Sequence, residues 1–191
     1  MSLDGVIQGP GGPGEDTSNG FTLSGWTAPY FDDESGKIMN EQMKLPFSLL
    51  LGRKTFQIWE NFWPQHEAEW PGVNSVTKYV VSKSLSKTDW KNTVFINENA
   101  VDALKKLKKE DGPNLHVYGS SGLAHTLLEN DLVDEIWLKT YPVVLGKGKR
   151  LFDESSFPVA FKLVSSKTVP SGVIFANYQR VGEVKVGSVE A

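Results

Sequence analysis

Short apolar runs alternate along the chain with stretches whose apolar residues recur at helical spacing. The runs "PFSLLLG" (46–52), "TKYVVS" (77–82), "NTVFIN" (92–97) and "LHVYG" (115–119) read as strands. Between them, "ENAVDALKKLKKE" (98–110) places Val101, Leu104 and Leu107 on one helical face and lysines on the other. "DDESGKIMNEQMK" (32–44) opens with acidic residues and continues with Ile38, Met39 and Met43, so it too predicts a helix. Further helices are expected from about Arg53 and over 122–130. "SLDGVIQG" (2–9) begins like a strand and runs into the Gly- and Pro-rich 9–30, which cannot be regular structure. A loop that long in a compact fold is usually functional or mobile. Residues 60–76 read as irregular connection, with Trp59, Trp63 and Trp70 as packing residues. "VDEIWLKTYPVVL" (133–145) reads as a strand broken at Pro142, and 160–168 and 172–181 as a hairpin about Pro170-Ser171-Gly172.

Strands that alternate with helices imply right-handed crossovers and a mostly parallel central sheet flanked by helices. The closing hairpin adds an antiparallel edge. No repeat or linker divides the chain, so residues 1–191 are expected to form a single α/β domain.

Composition narrows the function. The net charge of -3 offers no basic footprint for nucleic acid or for an anionic membrane. Absence of cysteine removes thiolate chemistry and cysteine-ligated metals, and the three histidines (His66, His116, His125) show no metal-ligand spacing. No metal is expected. His116 reads as a core histidine within its strand and His125 as an ordinary helix residue. There is neither an apolar run of membrane-spanning length nor a signal-peptide pattern, and a cytoplasmic location is expected.

Ligands of open α/β sheets sit beyond the carboxyl ends of the strands, where loops enter helices. Three such junctions carry phosphate-friendly chemistry. Gly52-Arg53-Lys54-Thr55 sets two cations and a hydroxyl at a helix start, and Ser82-Lys83-Ser84 closes another strand. Gly119-Ser120-Ser121-Gly122 crowds small residues where a helix N-terminus would expose its N–H groups. None is a Walker A loop, and the G-x-G-x-x-G fingerprint follows none of these strands.

In order along the chain, "SLDG", "GRKT", "SKS" and "YGSSGLAHTLL" resemble the dihydrofolate reductase-like fold. More specifically, "GSSGLAHTLLENDLVDEIWLKTYPVVLGKGKRLF" (119–152) resembles the C-terminal reductase domain of bacterial riboflavin-biosynthesis (RibD-type) proteins. The resemblance implies an NADPH-dependent reductase acting on a small heterocycle or ribosylated pyrimidine, and homodimerisation. It assigns cofactor phosphates to Gly52, Arg53, Lys54 and Thr55, and the 2′-phosphate to Ser82 and Lys83. The pyrophosphate falls to Gly119, Ser120, Ser121, Gly122 and Leu123. Members of the family usually carry several strand residues before "SLDG", so a short or truncated first strand is expected. The given residues carry no His-x-Glu or Pro-Cys-x-x-Cys motif, so the deaminase half that often accompanies this reductase is not expected.

The cofactor supplies the hydride, and the protein has to orient it and manage a proton. The resemblance points to Asp4 for that task, and analogy with folate reductases to Asp32 at the start of the helix after the long loop. Trp26 and Tyr30 are candidates for the substrate pocket. "GKGKR" (146–150) reads as a solvated basic turn. Two alternatives stay open: a dihydrofolate reductase proper, and a non-catalytic nucleotide-binding protein on the same fold.

Overall fold

A computed structural model describes residues 1–154 and 156–189. Phe47–Gly52 (β1) is buried along almost all of its length. It is flanked in parallel by Lys78–Val81 (β2) and Asn114–Val117 (β4), and Thr93–Ile96 (β3) lies outside β2, giving the order β3-β2-β1-β4. A near-continuous apolar run, interrupted only by Ser48, suits β1 because both of its faces are covered. On one face Phe47, Leu49 and Leu51 pack against Phe56, Trp70 and Trp90. On the other, Leu50 meets Leu104, Leu123 and Leu127. Phe56 comes from Arg53–Trp59 (α2), Leu104 from Ala100–Leu107 (α3), and Leu123 and Leu127 from Ser121–Glu129 (α4), while Trp70 and Trp90 stand in the connections around β2. Trp59, Trp63 and Trp70 form an edge-on ring cluster in the 59–70 connection, as packing residues should.

The helix expected after the long loop is Asp33–Gln42 (α1), and Ile38 and Met39 pack on Val169, Val173 and Phe175. The expected hairpin is also present. Ala160–Thr168 (β6) and Ile174–Gly182 (β7) pair antiparallel, closed by Gly172 N–H to the Val169 carbonyl at 2.9 Å. Gly172 has φ +84°, where a side chain would be strained. Among the described residues, no helix is long and apolar enough to cross a membrane.

Two expectations are corrected. Residues 2–9 do not make a strand. Ser2 and Val6 close a tight turn around Asp4 and Gly5, leaving a single bridge from Val6 to Arg150. Nor does the hairpin extend the parallel sheet. Glu135–Thr140 (β5) pairs antiparallel with β7, and β5-β7-β6 is a sheet of its own. The two sheets meet through side chains, with the His116 ring 5.6 Å from that of Trp137. Along the same seam the Tyr141 N–H reaches the Met1 carbonyl and Leu3 N–H the Val143 carbonyl.

Candidate functional site

Register brings the three phosphate-friendly junctions onto one rim. Gly52 lies opposite Val81 across the β1–β2 ladder, and Leu50 opposite Val117 across β1–β4. The starts of α2 and α4 are therefore neighbours, and a short polar chain ties them. Gly52 N–H donates to Ser120 Oγ at 3.0 Å, and the Ser120 hydroxyl donates to Thr55 Oγ1 at 2.9 Å. The chain turns into α4 through two left-handed residues, Gly119 (φ +55°) and Ser120 (φ +56°).

Close approach favours glycine at position 52, and a left-handed backbone favours it at position 119. A Cβ on Gly52 would lie 3.3 Å from Ser120 Cβ and Oγ, and one on Gly119 would lie 3.4 Å from Thr55 Oγ1. At Gly122 a Cβ would meet nothing within 4 Å, so that position opens outward. Neither α2 nor α4 has a side-chain N-cap bond. First-turn N–H groups, those of Ser121, Gly122 and Leu123 included, thus lack a side-chain acceptor. Arg53, Lys54 and Lys83 are exposed at the same rim. Uncapped N–H groups, hydroxyls and cations, with no carboxylate in the three junctions, form a donor set that fits a phosphorylated cofactor.

Some of the predicted residues have other work. Leu123 is buried, and its side chain packs against Leu50 and Leu127, leaving only its backbone to face the rim. Ser82 is buried too, and its hydroxyl accepts the N–H groups of Ser84 and Leu85 at 3.2 and 3.0 Å. Those bonds shape the loop and leave Lys83 as the exposed member of the pair. Arg53 rests on its own helix, giving Nη1 to Gln57 Oε1 at 2.8 Å.

Both carboxylates expected to handle a proton serve as anchors. Asp4 accepts the Ser2 hydroxyl at 2.6 Å and the N–H groups of Leu145 and Gly146 at 3.1 and 2.8 Å, with Arg150 3.5 Å away. The Ser2 hydrogen bond, joined by those N–H groups, holds its carboxyl down at about 2. Asp32 caps α1 by accepting Ser35 N–H at 2.7 Å and clasps the hairpin turn through Ser171 N–H at 2.9 Å. These bonds, Ser35 first, hold it at about 2 as well. A carboxyl that stays ionised at neutral pH has no proton to donate.

The two aromatic pocket candidates are brought together by a residue the sequence reading passed over. Trp26 is buried, gives Nε1–H to the Gln8 carbonyl at 2.9 Å, and sets its ring edge-on to Tyr141 at 5.3 Å. Tyr30 meets the same Tyr141 ring at 6.0 Å. Trp26 thus pins the long loop, and Tyr30 and Tyr141 hold the partly open side. Alternation along "EIWLKTY" could have flagged Tyr141, had the face of β5 turned to the loop been known. Among the described residues no cluster of His, Asp and Glu is placed to hold a metal ion.

The profile of the RibD C-terminal domain family matches residues 1–175. Two Bacillus subtilis (strain 168) proteins of uncharacterised function are similar in sequence. YyaP is 37% identical over 133 residues, 66% of this chain and 70% of that protein. YwjB is 29% identical over 120 residues, 63% of this chain and 66% of that protein. Two crystal structures share the fold. One is a Shewanella sp. PV-4 protein provisionally assigned to riboflavin biosynthesis, with TM-score 0.68, 21% identity and 95% of each chain covered. The other is a pyrimidine reductase-like protein from Corynebacterium diphtheriae, with TM-score 0.63, 14% identity and 96% and 90% of the two chains covered.

Proposed function

The chain belongs to the RibD C-terminal domain family, and from that premise we propose that it is a cytoplasmic NADPH-dependent reductase of a small heterocyclic substrate. One observation carries the reading. Two helix starts without side-chain caps converge on adjacent parallel strand ends, bridged by Ser120 and lined by Gly52, Gly119 and Gly122. Such a rim binds a pyrophosphate through backbone N–H groups and the positive ends of two helices. NADPH is favoured over NADH because the third junction offers exposed Lys83 and no carboxylate to hold a free 2′-hydroxyl. When bound, the dinucleotide supplies a hydride. The protein's part is to hold the phosphates at this rim and to set the substrate beneath the long loop beside Tyr30 and Tyr141.

The folate-reductase alternative draws no support from α1, where Asp32 is committed to Ser35 and Ser171. Titration with NADPH and NADH, followed by tryptophan fluorescence, tests the reading. Saturable binding of NADPH with much weaker binding of NADH is expected, and failure of both to bind would end it. NADPH binding without oxidation in the presence of pteridine, pyrimidine or flavin precursors would favour a non-catalytic nucleotide-binding protein.

A further inference from the structure

Helices set two of the three junctions, but the third has none. From Ser82 to Asn92 the chain returns from β2 to β3 with no helix between the strands. Parallel neighbours are usually joined through a helix, whose backbone bonds fix the turn that enters it. Here side chains have to fix it. The ladder sets Ile96 opposite Val81, so Asn97 follows beside Ser82 at the same rim. Ser82 N–H donates to the Ile96 carbonyl at 3.1 Å. Asn97 Nδ2 donates to the carbonyls of Ser82 and Leu85, each at 2.7 Å. Those two carbonyls bracket Lys83 and Ser84. Within the turn, the Ser82 hydroxyl accepts the N–H groups of Ser84 and Leu85. One amide thus ties both ends of the turn, while Lys83 is exposed and has no hydrogen bond or ion pair among the described residues.

We propose that Asn97 is a positioning residue for cofactor choice: its amide fixes the 82–85 turn so that Lys83 is presented to a 2′-phosphate. It acts through Lys83 rather than by contact with the ligand. The side-chain chemistry at position 97 is specific to that task. A carboxylate of the same shape has no N–H to give, and it would set a negative charge beside two carbonyls and near the anion. A serine hydroxyl has one hydrogen where two acceptors wait. Gripping a phosphate costs a lysine its side-chain freedom, and a turn fixed in advance removes the backbone share of the ordering cost. Asn92 supplies the contrast. It precedes β3 as Asn97 follows it, and bridges the carbonyls of Asn74 and Ser75 in the same way, at 3.1 and 3.2 Å. Its bridge is architectural, since neither carbonyl belongs to any of the three junctions.

The inference rests on the reading of the third junction as a 2′-phosphate subsite, and it needs no turnover. The probes are adenosine 2′,5′-bisphosphate and adenosine 5′-monophosphate, which differ only in the 2′-phosphate, titrated calorimetrically into the full chain. Wild type should prefer the bisphosphate. Lys83→Met should lower that preference about tenfold, and Asn97→Ala about fivefold. Asn97→Asp should lower it at least as far as Asn97→Ala. Added to Lys83→Met, Asn97→Ala should change nothing more, because its effect passes through Lys83. Asn92→Gly removes the analogous amide and suits the left-handed backbone there (φ +59°). It should melt lower than wild type and keep the wild-type preference, which separates positioning from a general loss of stability. A preference in Asn97→Ala within about twofold of wild type would overturn the inference. So would equal losses in Asn97→Ala and Asn92→Gly, or full additivity in the double variant. Equal binding of the two adenylates by wild type would overturn it too, while saturable NADH binding would then spare a reductase of that cofactor. An Asn97-dependent preference without NADPH oxidation in the presence of pteridine, pyrimidine or flavin precursors would leave the inference standing and remove the reductase.

Discussion

Single side chains here divide between anchoring the fold and being left for a ligand, and hydrogen-bond partners decide which. Asp4 and Asp32 lie on the anchoring side. Their folded pKa values, about 2 in each case, sit below the unfolded carboxylate value. The unfolded chain therefore binds more protons between pH ~4 and ~2, and stability should fall as pH drops through that window. Thermal melts at stepped pH should show the decline, and Asp4→Asn should flatten it while lowering the melting temperature at neutral pH. Arg53 lies on the other side. Exposed and bonded, among the described residues, to Gln57 of its own helix, it can turn to a phosphate. Arg53→Ala should weaken NADPH by about 1.5 kcal/mol, roughly tenfold, the low end for a bond to a charged group. NADH should suffer less, and equal losses in parallel titrations would remove the 2′-phosphate from its list of contacts. Asp4 was legible as a turn residue and Arg53 as a cation at a helix start. Their partners were not, because Leu145, Gly146 and Arg150 are distant in sequence from Asp4.

Among elements, α4 joins the core to the rim. Its Leu123 and Leu127 fix it against Leu50, and its first turn faces the start of α2. Ser120→Ala would remove both the acceptor for Gly52 N–H and the donor to Thr55. Two lost bonds of about 1 kcal/mol each should appear as a lower denaturation midpoint together with weaker NADPH binding. Leu104→Ala on α3 is the matching control. Leu104 is 1% exposed in the same cluster but belongs to none of the three junctions. It should lose about 2–4 kcal/mol of stability by chemical denaturation, with NADPH affinity kept in whatever fraction stays folded. Helical and strand periodicity located α1, α3, α4 and β1 to β4 because each element declares its buried face in its own sequence. The 2–9 segment misled for a local reason. Its apolar residues suggest a strand, yet Asp4 and Gly5 turn the chain and the Asp4 carboxylate fastens that turn to residues 145 and 146.

For the whole molecule, a ligand that binds only the folded chain adds stability by mass action. NADPH at a hundred times its dissociation constant should contribute about 2.7 kcal/mol. For a chain of this size that is a rise in melting temperature of roughly 5–10 °C, which NADH at the same concentration should not reproduce. A differential scanning fluorimetry series decides it. At this scale sequence and structure part company. The sequence by itself determined an α/β architecture, the order of its elements, the closing hairpin and three phosphate-friendly strand ends, because period, glycine placement and strand–helix alternation are written locally. Tertiary structure alone decided that β5 leaves the parallel sheet to pair with β7, and that Gly52, Thr55 and Ser120 form one bonded unit. It also decided that Asp4 and Asp32 are taken up by the backbone N–H groups of Leu145, Gly146, Ser35 and Ser171. Each of these depends on which distant backbone or side-chain group arrives beside a residue, and a linear pattern of polar and apolar positions carries no record of that.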